Sequence, residues 1–198
     1  MARTLIVVDI QVDFCPGGRL AVEGGDQIIA PINQMMQDFD NVVLTQDWHP
    51  ADHSSFAENH PGAAPFSMTQ MNYGPQVLWP THCVIGSPGA QFHPDLDTSH
   101  AATIIRKGFR PQIDSYSTFF ENDYKTPTGL AGYLRERYLE DLYFVGLAYD
   151  FCVTWSAVDA ARLGFSVSVI ESATRAINLN GSRDAARSSM IEAGVQLI

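Results

Sequence analysis

The chain has 198 residues, of which 45% are apolar and 17% are charged, a composition typical of a folded protein with a sizeable core. Its formal net charge of −10 argues against a nucleic-acid partner, which would need a basic face, and against binding to an anionic membrane surface. The first apolar run, residues 5–8, is too short for a signal peptide or a membrane span, so we expect neither. Three cysteines without a C-x-x-C pair argue against a disulfide framework and favour a reducing, cytoplasmic compartment.

Strand-like and helix-like segments alternate along most of the chain. Apolar runs rich in β-branched residues predict buried strands at residues 3–10, 41–46, 102–108, 141–147, 166–172 and 195–198. Helical spacing predicts helices at 26–39, 127–139, 151–163 and 181–193, with Asp26 capping the first and Thr126-Pro127 opening the second. Such alternation is typical of a parallel sheet with helices on both faces. We therefore predict an α/β fold, a single three-layer α/β/α domain over residues 1–198 with a mainly parallel six-stranded sheet.

One long segment, residues 47–102, has no sustained period and is dense in proline, histidine, glycine and aromatic residues. Irregular stretches of this length inside a compact domain are usually functional. Open parallel sheets bind their ligands beyond the carboxyl ends of the strands. The segment and the residues at those strand ends are therefore the first candidates for a functional site.

Three reactive side chains follow predicted strands. Asp9 ends the first strand, Lys107 ends the third, and Cys152 lies where the fourth strand is followed by a helix. Taken singly, each has an ordinary explanation, as a turn cap, a solvated cation or a small buried thiol. Together at one sheet edge they form a nucleophilic site. The helix N-terminus and Lys107 would favour a Cys152 thiolate, and Asp9 could carry its proton.

A second group of side chains lies in the irregular segment. The stretch "TQDWHPADH", residues 45–53, contains Asp47, His49 and His53, and "WPTHC", residues 79–83, contains His82. Asp47, His49 and His82 offer a carboxylate and two imidazoles, with positions left open for water, a set that suits Zn²⁺, Fe²⁺ or Mn²⁺. His53 is a fourth candidate ligand. The alternative is a group of loop histidines with ordinary surface hydrogen bonds.

The motifs that contain these residues resemble a known family. The stretches "LIVVDIQVDFCPGGRLAV", "TQDWHPADHSSFAENHPG", "LWPTHCVIGSPGAQFHP", "RKGFRPQIDSYSTFF" and "GLAYDFCVTWSAVDAARLGF" resemble the nicotinamidase (pyrazinamidase) family of the isochorismatase-like cysteine hydrolases. The resemblance runs in order from residue 4 to the C-terminus. It includes both the nucleophile motif and the metal motif.

The resemblance implies a role for each matching residue. It implies a catalytic triad of Asp9, Lys107 and Cys152. It implies metal ligation by Asp47, His49 and His82, with His53 close to the metal and a ligand in some members. The substrate pocket would be lined by Phe14, Leu20, Trp79, Tyr116 and Ala148. The backbone N–H groups of Ala148 and Cys152 would hold the oxyanion, next to a cis peptide bond that the family has just before Ala148.

The implied reaction is the hydrolysis of nicotinamide to nicotinate and ammonia in NAD salvage, with pyrazinamide as a further substrate. The implied cofactor is one divalent metal ion, zinc in the first place and iron or manganese otherwise. The expected partner is the small-molecule substrate, and the chain would act as a monomer or a homo-oligomer.

Other functions remain open on the sequence. Another cysteine amidohydrolase of the same superfamily could act on a carbamoyl or ureido compound, although relatives without a pyridine to hold generally lack the metal motif. An isochorismatase-type vinyl-ether hydrolase is disfavoured by that motif and by Cys152. A non-enzymatic metal-binding or thiol-sensing module would leave Asp9 and Lys107 without a role.

Overall fold

A sheet of six parallel strands organises the fold. The computed structural model describes residues 2–198. The strands are β1 (Arg3–Val8), β2 (Asn41–Asp47), β3 (Met68–Met71), β4 (Gly74–Val77), β5 (Thr103–Lys107), β6 (Asp141–Leu147), β7 (Ser166–Arg175) and β8 (Gln196–Leu197). The sheet has the order β5-β2-β1-β6-β7-β8 with all neighbours parallel, whereas β3 and β4 form a separate antiparallel hairpin.

Helices cover both faces of this sheet. They are α1 (Ile29–Met36), α2 (Leu130–Glu136), α3 (Thr154–Arg162) and α4 (Ser182–Glu192). Alternate side chains of β1 enter different cores, because Leu5 and Val7 pack with α1 while Ile6 and Val8 pack with α2, α3 and α4. The predicted α/β/α layers and six strands are confirmed, and the sheet is parallel throughout rather than mainly so. No helix in residues 2–198 combines the length and the apolar character of a bilayer span.

The strand order brings the candidate residues to one edge of the sheet. β1 lies between β2 and β6, and β5 lies beyond β2, so the carboxyl ends of these four strands are neighbours. Asp9 follows β1, and Asp47 and Lys107 are paired at the ends of β2 and β5. Cys152 lies in the single π-helical turn Tyr149–Val153 between β6 and α3, which we call the cysteine turn.

All four helices begin later than the sequence predicts, and two of them lack the predicted caps. Asp26 lies inside a short 3₁₀ turn that makes no side-chain cap, and α1 begins after that turn. The Thr126 hydroxyl and N–H both donate to the Asp123 carboxylate. This local turn occupies the side chain that we expected to cap the helix, so Pro127 stays outside α2, which begins at Leu130.

The irregular segment contains a hairpin that its composition does not reveal. Strands β3 and β4 pair Met68 with Val77 at their open end, and each strand is only four residues long. Gln76 of β4 is 1% exposed, and its side-chain amide donates to the hydroxyl of Tyr116 at 2.8 Å. The hairpin therefore delivers one buried polar side chain to the region of the candidate site.

Gly146 permits a close approach of β6 to β1. Its φ is +109°, and a Cβ atom there would lie 2.1 Å from the Val8 carbonyl oxygen. Gly146→Ala should therefore lower the free energy of unfolding by at least about 2 kcal/mol, because the two backbones would have to separate. Urea denaturation measures this loss. Gly132→Ala, in α2 with open space around the Cβ position, is the matched control and should stabilise by about 0.5–1 kcal/mol. Equal stability of the two variants would contradict the close approach.

Candidate active site

Lys107 lies at the centre of the candidate active site. Its side chain is fully buried, and Nζ lies 2.9 Å from Asp9 Oδ2 and 3.4 Å from Cys152 Sγ. Nζ also donates to Asp47 Oδ1 and, at 2.9 Å, to the Ser115 carbonyl oxygen. The ammonium therefore joins the ends of three neighbouring strands to the cysteine turn, and it brings the predicted triad together.

Asp9 is fixed by a side chain of the neighbouring strand. The Thr45 hydroxyl donates to Asp9 Oδ1 at 2.6 Å. Asp9 has φ +48°, so the chain leaves β1 in the left-handed region at this residue. A carboxylate oxygen of Asp9, one of Asp47 and the Cys152 sulfur all lie within 4.8 Å of one another. The Asp9 carboxylate is therefore placed to exchange a proton with the thiol.

Asp47 also belongs to a second group, which contains one carboxylate and two imidazoles. Asp47 Oδ2 lies 3.5 Å from His49 Nε2 and 3.8 Å from His82 Nε2. The three side chains are buried, and their ligand atoms fall within 4.8 Å of one another. Three such donors are typical of an open Zn²⁺ site that leaves a position for water or substrate. We call Asp47, His49 and His82 the metal triplet.

Backbone carbonyls decide which nitrogen each imidazole presents. The Gly108 carbonyl oxygen lies 2.8 Å from His49 Nδ1, and the Pro80 carbonyl oxygen lies 2.7 Å from His82 Nδ1. Because a carbonyl oxygen only accepts, each neutral ring carries its proton on Nδ1 and keeps Nε2 free as a ligand. Gly108 has φ +69°, and a Cβ atom there would lie 2.4 Å from the His49 ring. Glycine is therefore required beside this histidine.

A cavity with aromatic walls adjoins the triad and the triplet. It is lined by every predicted pocket residue, namely Phe14, Leu20, Trp79, Tyr116 and Ala148. The Trp79 ring meets Phe151 edge-on with centroids 4.8 Å apart, and its N–H donates to the Tyr116 hydroxyl at 3.0 Å. Asp47, His82 and Cys152 reach the same cavity. An aromatic ring bound there would lie within reach of both the thiol and the metal triplet.

The expected cis peptide bond is present between Leu147 and Ala148. Ala148 and Cys152, the two predicted oxyanion donors, both line the cavity. The Ser156 hydroxyl donates to the Cys152 carbonyl oxygen at 2.5 Å and ties the cysteine turn to α3.

Comparison with known proteins places the chain in a family. The model of the isochorismatase domain family matches residues 3–198. The chain belongs to the isochorismatase family. It is 56% identical over 194 residues to a nicotinamidase of Acinetobacter baylyi, an alignment that covers 98% of this chain and 91% of the relative.

Solved structures of isochorismatase-family members superpose on the whole chain. The nicotinamidase/pyrazinamidase of Acinetobacter baumanii matches with a TM-score of 0.98 at 54% identity, covering 100% of this chain and 95% of that chain. A pyrazinamidase of Pyrococcus horikoshii in complex with zinc matches with a TM-score of 0.81 at 34% identity, covering 100% of this chain and 99% of that chain.

In this isochorismatase-family site, His53 lies beside the metal triplet with both ring nitrogens engaged. Its ring centroid is 4.4 Å from that of His49. Nδ1 accepts the Ser55 N–H at 3.2 Å, and Nε2 lies 3.2 Å from the Ile113 carbonyl oxygen. Burial and then repulsion by His49 lower the pKa of His53 to about 4. His53 therefore lies beside the triplet, and ligand atoms of His53, His49 and Asp114 also fall within 4.8 Å of one another.

Gln11 shapes the site although sequence reasoning misses it. Its Nε2 donates to the Asp47 carbonyl oxygen at 2.8 Å, and its Oε1 accepts the Asp47 N–H at 2.8 Å. Nε2 also donates to the Ala90 carbonyl oxygen at 2.9 Å. The available signal in the sequence is the position of Gln11 directly after the predicted strand 3–10. A polar side chain buried at such a position needs hydrogen-bond partners.

Three further cavity residues lie outside the predicted set. They are Asp114, Phe151 and Ile177. Asp114 accepts the Ser115 N–H at 2.8 Å and a Gln76 Nε2 hydrogen at 2.7 Å, so its carboxylate is held by the hairpin and its own turn. Phe151 directly precedes the cysteine and could have been found from that position, whereas nothing local marks Asp114 or Ile177.

Burial favours the neutral form of the Cys152 thiol. Burial raises the pKa of Cys152 well above its ordinary value, and although Lys107 lowers that pKa, Asp9 and Asp47 raise it again. Burial therefore opposes the thiolate that we expect the helix N-terminus and Lys107 to favour. Burial also raises the pKa of Asp9 despite the attraction of Lys107. Asp9 is consequently suited to accept the proton that the thiol must lose.

Alkylation of Cys152 by iodoacetamide in chelator-treated protein tests this protonation state. Because burial raises the thiol pKa, the rate should rise with pH to a midpoint above about pH 9. Lys107→Met should move the midpoint up, since it removes the cation that lowers the pKa, and Asp9→Asn should move it down. Peptide mass spectrometry separates Cys152 from Cys15 and Cys83. A wild-type midpoint below about pH 7 would mean that the thiolate is preformed.

Proposed function

We propose that this protein is a nicotinamidase, which hydrolyses nicotinamide to nicotinate and ammonia. The observation that carries the proposal is the contact of Lys107 with Asp9, Asp47 and Cys152 in one buried cluster. The cluster offers a nucleophile, a proton carrier and a neutralising cation to an aromatic cavity. The 56% identity to the Acinetobacter baylyi nicotinamidase supports the same reaction. Pyrazinamide, a flat amide on a similar nitrogen ring, is a further substrate.

The first half-reaction forms a thioester. Asp9 takes the proton of the Cys152 thiol as the sulfur attacks the carboxamide carbon and the C–S bond forms. Negative charge moves to the amide oxygen, where the backbone N–H groups of Ala148 and Cys152 hold it. Asp9 then gives its proton to the amide nitrogen, the C–N bond breaks, and ammonia leaves.

The second half-reaction hydrolyses the thioester. Asp9 takes a proton from a water molecule whose oxygen attacks the thioester carbon. The C–S bond breaks, the Cys152 sulfur regains the proton from Asp9, and the product leaves as nicotinate after its acid proton passes to solvent. Lys107 keeps the carboxylate beside the sulfur through both steps, because its Nζ contacts both groups, at 2.9 Å and 3.4 Å.

The proposal includes one divalent metal ion at the metal triplet, zinc in the first place and iron or manganese otherwise. The donor set fits such an ion, because Asp47 Oδ2 and the Nε2 atoms of His49 and His82 converge while both Nδ1 atoms face carbonyl oxygens. When bound, the ion supplies a Lewis acid for a pyridine nitrogen or for a water molecule. The zinc complex of the Pyrococcus horikoshii pyrazinamidase supports this choice.

We also propose that residues 1–198 form a single domain that works in the cytoplasm on a small-molecule substrate. All three cysteines are free, which suits a reducing compartment. The net charge of −10 disfavours nucleic acid and anionic membranes as partners.

Cys152→Ala should reduce ammonia release from nicotinamide to background, because the variant lacks the atom that forms the thioester. A coupled ammonia assay measures the loss, and circular dichroism checks that the fold is kept. Cys15→Ala, which removes a buried thiol that does not line the cavity, is the control and should stay active. Turnover by the Cys152 variant, or a wild-type protein that cleaves only carbamoyl or ureido compounds, would contradict the proposal.

Chelation should abolish activity, and Zn²⁺, Mn²⁺ or Fe²⁺ should restore it, with about one ion bound per chain. Metal removal should reduce hydrolysis of nicotinamide more than that of benzamide, because benzamide has the amide but lacks the ring nitrogen. His82→Ala should lose the metal. His93→Ala, with a side chain 20% exposed and outside the triplet, is the control and should keep it.

Two results of the metal experiment would count against separate parts of the proposal. Purified protein without stoichiometric metal, whose activity resists chelators, would exclude the metal site. Equal losses with nicotinamide and benzamide would keep the metal site but exclude contact between the ion and the pyridine nitrogen.

A further inference from the structure

Asp150 connects the cysteine turn to a distant loop. It lies two residues before Cys152 and is 5% exposed. Asp150 Oδ1 accepts the Ile177 N–H at 2.9 Å. Oδ2 accepts the Asn178 N–H at 2.7 Å and the Ser182 hydroxyl at 2.5 Å. One buried carboxylate therefore receives two hydrogen bonds from the stretch between β7 and α4 and a third from the first residue of α4.

That stretch, residues 176–181, is called the wall loop here, and it combines partial apolar packing of Ala176, Ile177 and Leu179 with few other hydrogen bonds. None of its residues is buried. Asn178 and Asn180 adopt left-handed backbone conformations, with φ +57° and +52°. Within residues 2–198, Ile177 and Asn178 make no other hydrogen bond to a different element. The Asp150 carboxylate is therefore the group that holds the wall-loop backbone at Ile177 and Asn178 by hydrogen bonds.

The wall loop separates two cavities. Ile177 lines the active-site cavity together with Phe151 and Cys152. Its neighbours Ala176 and Asn178 line a different, polar cleft of about 530 Å³. A shift of the loop would therefore change the shape of the active-site wall without moving the sulfur.

We propose that Asp150 is a positioning residue and that Ile177, which it holds, determines specificity among aromatic amides. Held at the cavity wall, Ile177 limits which ring substituents an aromatic carboxamide can carry. This inference rests on the proposed function, because it names the substrate class of the same site. One misplaced methyl group in a tight apolar pocket changes selectivity by roughly 10-fold to 200-fold, which is large enough to measure.

A carboxylate suits this role better than an amide of the same shape. Asp150 faces three donors and has two oxygens to accept them. In Asp150→Asn, one oxygen becomes an NH₂ group, which would meet a donor instead of an acceptor. A buried donor without a partner is costly, so the wall loop should loosen.

The test compares Asp150→Asn, Ile177→Ala and the double variant with wild type. Asp159→Asn is the matched control, since Asp159 is also 5% exposed, lies in α3, and makes no contact with the wall loop through its carboxylate. Ser182→Ala removes one of the three hydrogen bonds and serves as a milder variant if Asp150→Asn does not fold.

Amide hydrogen exchange of the wall loop gives a measurement that is independent of catalysis. Asp150→Asn should raise the exchange rates of the Ile177 and Asn178 amides by about 10-fold or more, because the loop opens locally. Ser182→Ala should raise them less, and Asp159→Asn should leave them at the wild-type value. Unchanged exchange rates in Asp150→Asn would overturn the positioning role. If Asp150→Asn does not fold, unchanged rates in Ser182→Ala would overturn it.

Selectivity is measured as kcat/KM for nicotinamide relative to its 2-, 4-, 5- and 6-methyl derivatives. Ile177→Ala should raise the relative rate of at least one derivative by about 10-fold, and Asp150→Asn should raise the same derivative. The double variant should show no more than the larger single effect, because both changes act through one side chain. The proposal would be overturned if neither single variant changed the relative kcat/KM, or if the two variants favoured different derivatives. It would also be overturned if the effects of the two substitutions multiplied in the double variant.

The two proposals fail in different ways. If wild-type protein releases no ammonia from any aromatic amide, the nicotinamidase assignment fails and Ile177 loses its role in specificity. The exchange experiment then still decides whether Asp150 positions the wall loop.

Discussion

The Lys107 ammonium is fully buried, and the carboxylates of Asp9 and Asp47 are buried beside it. Burying any of these charges alone costs roughly several kcal/mol, so each depends on the others. Burial lowers the pKa of Lys107, but attraction by Asp47 and Asp9 outweighs burial and raises it well above the usual value. The same attraction overcomes burial at Asp47 and holds its pKa well below the usual range. Lys107 and Asp47 therefore stay charged as a pair. Asp9, whose pKa burial raises, is left as the group that can take up a proton.

Asp47 links two kinds of chemistry through its two oxygens. Oδ1 contacts Lys107, whereas Oδ2 faces the imidazoles of His49 and His82. Positive charge at the triplet competes with Lys107 for the Asp47 carboxylate. Because Lys107 also contacts Cys152, such a charge acts on the sulfur through these direct contacts. The cavity beside these groups adds no further charge of its own except Asp114, which is already held by two donors. The charged groups of the site therefore form one continuous series of contacts, from the triplet through Asp47 and Lys107 to Cys152.

The strands and the reactive residues at their ends follow from the sequence because their causes are local. An unbroken run such as that of β1 is buried on both faces, and the polar residue that ends it must lie at the sheet edge. The start of α2 does not follow, because Thr126 has a competing partner in Asp123. Gln11 and Asp150 are hidden for a different reason. Their partners lie 36 and 27 residues away, so the local sequence does not show which groups they contact. The pocket residues were accessible only through the family resemblance, since single aromatic residues in a long loop show no period.

Gln11 does with its side chain what a neighbouring strand does with its backbone. β1 ends at Val8 and the chain turns at Asp9, yet Gln11 still offers Asp47 one acceptor and one donor, each at 2.8 Å. The side-chain amide of Gln11 thus extends the hydrogen-bond ladder along β2 by one residue. These two hydrogen bonds are made with the main chain at position 47 and do not depend on the side chain there. The backbone at position 47 should consequently stay in place when the side chain there is changed. A substitution at position 47 would therefore leave the sheet in place, and its cost would fall on Lys107, which would lose one of its two carboxylate partners.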